Sequence, residues 1–245
     1  MAIYLNKIET PQLHHCTSVN SLCKILQSRC FHPSFCLEQS DFMEEYDTGA
    51  YAMVCFADLL KNEVSRHLKS FNADSYLVMK KSWAIRNFVN PVVYYTKESI
   101  PAATMKHWSR YILINQQNID IEGSEKLLYN STNLMFAYMK QYEGVYFNKK
   151  MRKFSEHKRI FYLERDWRWI PPVQQGEAYY LNKDEYSNVA FLSEKQQELI
   201  DHELYLRFNY DDILEIGVPL HKLFTFRKII RKAPRLLHII KIIGV

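Results

Sequence analysis

The chain has 245 residues, 47% hydrophobic and 24% charged, and a net charge of +5. That length and apolar share suit one domain with a sizeable core and speak against disorder. Only six glycines occur, and neither a GxGxxG nor a P-loop pattern is present to cradle phosphates.

The N-terminus shows no basic segment followed by an apolar run, and no stretch reaches the roughly 18 apolar residues of a membrane span. The five cysteines, an odd number, fit reduced thiols, so the expected location is the cytoplasm and no membrane span is expected.

In chain order, Thr17 or Ser18 caps a first helix reaching Ser28, with Val19, Leu22, Cys23 and Leu26 on one apolar stripe. Residues 51–57 read as a buried strand, after which Asp58 N-caps a helix carrying Leu59, Leu60, Val64, Leu68 and Phe71. Ser75 to Met79 forms a short strand and Trp83 to Phe88 a brief helix. The Asn90-Pro91 turn then feeds a strand from Val92 to Tyr95. A long helix is expected from Ser124 to Tyr142, ending at Gly144. Residues 160–170 alternate apolar and charged side chains as a strand would, up to Pro171-Pro172. Glu194 to Leu206 reads as helix, Ile213 to Val218 as strand, and a basic amphipathic helix closes the chain. Strands and helices mix without a strict βαβ beat, which favours α+β. The expected division is a domain over residues 1–220 and a basic C-terminal helix over 221–245, packed on that domain or on a partner.

The charge is uneven. Residues 221–245 hold seven Lys or Arg and no acid, which leaves the rest of the chain at −2. Residues 146–160 carry six Lys or Arg against Glu156. There Lys149, Lys150, Arg152 and Lys153 interleave with Phe147 and Phe154, a composition that suits phosphate contact with base stacking and equally an ordinary exposed loop. The C-terminal stretch suits docking on its own domain, on a partner protein or on an anionic surface.

Glu164, Asp166 and Arg168 recur two apart, so a strand would project all three from one face. Two carboxylates and a guanidinium there form either a surface ion-pair ladder or a group that orients a ribose hydroxyl, stabilises a developing cation or acts as a base. His15 and Thr17 stand just before a helix N-terminus, where a histidine and backbone amides can meet an anionic ligand or simply complete a cap. Cys16, Cys23 and Cys30 recur every seven residues, yet no CxxC or HxxxH pair occurs. Buried thiols rather than a metal site are expected.

Taken together, seven segments in one order resemble the AbiGi family of bacterial abortive-infection proteins over most of residues 13–218. They are Leu13 to Thr17 with Leu22, Ile25 and Leu26; Phe35 to Glu38; Met53 to Asp58; Trp83 to Ile85 with Asn90 to Tyr94; Tyr142 to Gly144; Glu164 to Arg168; and Asp212 to Ile216. The layout is also similar to ADP-ribosyltransferases such as the DarT toxins. That second likeness implies an ADP-ribosyltransferase-like α+β fold with NAD as substrate. It assigns His15, Thr17 and Phe56 to NAD and Glu164, Asp166 and Arg168 to catalysis. It departs from that pattern at Cys55-Phe56-Ala57, which lacks hydroxyls, and at Asp166, one methylene shorter than Glu. Two functions follow from the resemblance. One is an NAD-dependent mono-ADP-ribosyltransferase that modifies a macromolecule, with nucleic acid favoured, held by Lys149, Lys150, Arg152 and Lys153. The other is a non-catalytic antitoxin or regulator that binds a cognate toxin or its nucleic acid.

Overall fold

The computed structural model describes residues 10–39, 48–116, 131–132, 134–148, 153–172 and 179–243. Its organising element is β4 (Thr48–Leu59), a twelve-residue strand buried almost throughout. Small and apolar side chains alternate along it, so neither face needs water. Tyr51, Met53, Cys55, Ala57 and Leu59 point one way, and Ala50, Ala52, Val54 and Phe56 the other.

Antiparallel neighbours flank β4. On one side lies β1 (Gln12–Thr17), then β5 (Ser75–Met79). The sheet continues through β16 (Ile213–Pro219) to β17 (Ile240–Ile243), a pair that runs parallel. Along its length β4 also pairs with β3 (Ser34–Gln39), β13 (Asp166–Trp169) and β14 (Tyr180–Asn182), while β6 (Asn90–Pro91) extends the sheet beyond β13. Four two-stranded ribbons complete the described strands: β2 (Cys30–Phe31) with β15 (Leu206–Arg207), the parallel pair β7 (Val93–Tyr95) and β8 (Met139–Gln141), β9 (Glu143–Gly144) with β12 (Arg159–Ile160), and β10 (Phe147–Asn148) with β11 (Lys153–Phe154).

Helices cover both faces. On the Phe56 face, α1 (Val19–Ser28) buries Val19, Leu22, Ile25 and Leu26 against the sheet. Trp83 of α3 (Lys81–Arg86) and Phe226 and Ile229 of α7 (Leu223–Lys232) join the same cluster. Nearer the start of β4, α5 (Lys183–Ser187) and α6 (Val189–Asp201) supply Tyr186 and Leu199. On the Cys55 face, α2 (Val64–Ser70) covers Ala57 and Leu59, while Ala102 of α4 (Ile100–Gln116) packs with Tyr51, Met53 and Met139. Burying a side chain of this kind contributes roughly 1.5–3 kcal/mol, so two such layers hold the sheet from either side.

The mixed α+β class agrees with the sequence reading, and so do α1, α3, β5, β7 and β16. Other expectations need correction. Asp58 caps no helix. The strand runs on to Leu59, the carboxylate takes the Lys81 ammonium at 2.8 Å, and the next helix begins at Val64. The helix expected from Ser124 to Tyr142 lies partly outside the described residues, and its end, Met139–Gln141, is strand because it pairs with β7. Helix α4 was not foreseen. The segment at 160–170 is not one strand: Phe161–Glu164 forms a 3-10 turn and Arg165 is left-handed, with φ 44°. The helix expected at Glu194 starts earlier, at Val189, and gives way before Leu206, which is strand. The basic tail is helical only to Lys232. Pro234–Ile239 is a 3-10 turn, and Ile240–Ile243 joins the main sheet as a strand rather than continuing a helix. No helix among the described residues is long and apolar enough to cross a membrane.

Candidate functional site

Five charged side chains from four separate segments meet on the Cys55 face. Strand β13 pairs with β4 so that Asp166 lies opposite Ala57 and Arg168 opposite Cys55, which sends both side chains to that face. Strand β3 pairs so that Glu38 lies opposite Gly49, with Cys36 opposite Tyr51, on the same face. Above them, Lys140 of β8 stands beside Tyr94 of β7. Glu164 arrives from the 3-10 turn.

Lys140 is the hub. Its Nζ donates to Asp166 Oδ2 at 2.6 Å and to Glu164 Oε2 at 2.8 Å, and lies 3.9 Å from Glu38 Oε1. The same ammonium rests 4.9 Å from the centre of the Phe161 ring. Arg168 is wholly buried. It donates to Glu38 at 2.6 Å and to the Ala137 carbonyl at 2.6 Å, with Asp166 at 3.5 Å. The Tyr94 hydroxyl accepts from the backbone amide of Asp166 at 2.8 Å.

Three carboxylates face two cations, so the fully ionised cluster carries one excess negative charge. That excess falls on Glu164. Burial raises its pKa, with Asp166 and Glu38 adding to the rise and Lys140 opposing it. Burial works on Asp166 in the same direction, yet Lys140 and Arg168 together hold it below the ordinary range. Burial alone would lower Lys140, and its carboxylate neighbours hold it well above its ordinary value instead. Desolvated charges of this kind are sustained only by mutual pairing. The arrangement ties β3, β8, β13 and the 3-10 turn of Glu164 together.

His15, Thr17 and Phe56 lie on the opposite face. His15 Nδ1 sits 2.9 Å from the Cys55 carbonyl, and its ring stands 5.5 Å from Phe56 and 4.9 Å from Phe31. Burial lowers its pKa. Thr17 ends β1 opposite Ser75. The amides at the start of α1 are met by the chain itself, Val19 by Asp74 at 2.7 Å and Ser21 by Ser18 at 3.2 Å. The structure therefore brings His15 and Phe56 together within an aromatic cluster, brings Glu164, Asp166 and Arg168 together around Lys140, and separates the two groups by the sheet. Lys149, Lys150 and Arg152 lie outside the described residues. Lys153 is exposed, 3.7 Å from Glu156.

Glu38 and Lys140 were not singled out as site residues from the sequence. Glu38 carried a signal, since Phe35 and Leu37 alternate with Cys36 and Glu38. Lys140, inside an expected helix, carried none. One histidine also approaches the cluster: His67 of α2, whose charge would feel both Asp166 and Lys140. His14, on the same face of the sheet, packs instead on Tyr76. Among the described residues, no group of three or more His, Cys, Asp or Glu side chains is arranged to hold a metal ion.

Comparison with known proteins gives one family. A family model described as abortive phage resistance protein AbiGi, antitoxin, matches residues 29–219. The chain is also similar to the abortive phage resistance protein AbiGi of Lactococcus lactis subsp. cremoris, with 26% identity over 138 residues, covering 53% of this chain and 54% of the relative. The chain thus spans about half the length of that relative. No solved structure matches.

Proposed function

The chain belongs to the AbiGi family of abortive phage resistance proteins, and on that premise we propose that it is an antitoxin that docks on a cognate toxin protein. The observation that carries this reading is the outer surface of the C-terminal segment. Leu220, Phe224 and Leu237 are 66%, 81% and 57% exposed. Also exposed on this segment are Arg227, Arg231 and Lys232, which make no ion pair among the described residues. Residues 221–245 contain no acid. Large apolar side chains left in water and rimmed by cations suit a partner with an acidic rim and an apolar centre. The opposite side of the same helix is anchored by Phe226 and Ile229, so the patch stands on rigid support.

The rival reading, ADP-ribosyl transfer from NAD, needs His15, Phe56 and Glu164 around one dinucleotide. Their placement on opposite faces of the sheet speaks against it.

The test is co-expression with the toxin gene encoded beside this one. Wild type should restore growth, and Phe224→Ser combined with Arg227→Glu should not, while melting at an unchanged temperature. Restoration by the double variant would remove the docking surface. Incubation with labelled NAD and cell extract should give no transfer. Label transferred by wild type and lost in Glu164→Gln would overturn the antitoxin reading in favour of the enzyme.

A further inference from the structure

On the far side of the β7–β8 pair from Lys140 lies a cleft of about 320 Å³, lined by ten residues among them Gln39, Tyr95, Gln141 and Tyr142. That volume sits at the small end of the range of sites for small molecules. Gln141 is 7% exposed, and its Nε2 has no hydrogen-bond partner among the described residues. A buried amide without a partner is costly, and native chains keep such groups where something else satisfies them. The neighbouring backbone makes room for this side chain. A Cβ on Gly144 would fall 2.7 Å from Gln141 Oε1.

We propose that this cleft binds a mononucleotide. The amides of Gln39 and Gln141 offer donor and acceptor side by side, the pairing that suits the edge of a purine. Tyr95 and Tyr142 supply flat apolar walls on which a base stacks. Tyr142 is itself braced by Tyr162, stacked at 5.5 Å. Lys158 and the Thr96 hydroxyl also line the cleft and suit a phosphate. Glu143 lies at the same wall, and its pairing with Lys158, at 3.5 Å between exposed groups, exchanges readily for a phosphate. This inference is independent of the antitoxin reading, since none of these residues belongs to the C-terminal surface.

Calorimetric titration of the full chain with AMP, with adenosine and with inorganic phosphate tests it. AMP should bind saturably, with adenosine and phosphate each at least about tenfold weaker. Gln141→Leu should weaken AMP by about tenfold and yet raise the melting temperature of the free protein, because it removes the orphaned amide. A purely structural role for Gln141 cannot give that split. Lys158→Ala should weaken AMP and leave adenosine unchanged. Absence of AMP binding, phosphate binding as tight as AMP, or AMP binding untouched by Gln141→Leu would each overturn the proposal.

Discussion

Lys140 Nζ lies 2.6 Å from Asp166 Oδ2, a bond between a strand that covers the sheet and a strand within it, 26 positions apart in the chain. With Glu164 and Glu38 close to the same ammonium, removing the cation leaves buried acids facing Arg168 alone. Lys140→Met should therefore cost roughly 3–5 kcal/mol at neutral pH, read from urea unfolding. The deficit should shrink as the pH falls, because the stranded carboxylates then take up protons. A variant as stable as wild type at pH 7 would show that the bond is not a clasp.

The two neighbouring acids should not respond alike. Asp166 touches both cations, so Asp166→Asn weakens two pairings at once and should cost on the order of 2–4 kcal/mol. Glu164 holds Lys140 alone and resists ionisation, so Glu164→Gln should cost under about 1 kcal/mol. The folded pKa of Asp166 lies below its ordinary value, so its contribution is present above pH 3.8 and is lost as the pH falls through the folded value. Equal losses for the two amide variants would contradict this ranking.

How far these relations could be read from the sequence depends on how local they are. The stripe Val19, Leu22 and Leu26 is a helical period within one segment, and α1 followed from it directly. The apolar run at 51–57 showed that a strand was there. Its ends did not show, because Gly49 and Ala50 are small and Asp58 resembles a cap, and only pairing with β3 and β1 extends it to twelve residues. Spacing by two correctly grouped Glu164, Asp166 and Arg168, although the backbone between them bends through a 3-10 turn and a left-handed Arg165. Arg168 meets Glu38 across 130 positions, and no local period encodes a contact of that kind. His15 and Phe56 do meet, but on the face away from the acids. Which face each took was fixed by the register of β1, β4 and β13, and a shift of one residue would have reversed it.

Gly217 of β16 presses against the ring of Tyr76, whose hydroxyl donates to Glu215 at 2.5 Å. A Cβ at 217 would overlap that ring, and both strands are central, so neither backbone yields easily. Gly217→Ala should destabilise by roughly 1–3 kcal/mol, as overpacking of a filled core does. Gly217→Ala combined with Tyr76→Ala should recover part of the loss, which thermal melting of the single and double variants would reveal. Additive losses would mean that the two residues do not compete for the same space.

His67 on α2 packs on Phe71 at 4.6 Å and is held neutral. Burial lowers its pKa to about 4 from 6.5, against the pull of Asp166 and with further lowering by His14, Lys140 and Arg66. The folded value is thus depressed below the unfolded one. Between about pH 6.5 and pH 4 the unfolded chain takes a proton at this ring and the folded chain does not. Stability should therefore be full above pH 6.5 and fall toward pH 4, by on the order of 3 kcal/mol from this ring. His14 and His15, also lowered by burial, add to the same slope. Unfolding by urea at pH 7.5, 6 and 5 should show His67→Leu losing less stability than wild type over that interval. Parallel pH profiles for the two proteins would place the acid sensitivity elsewhere.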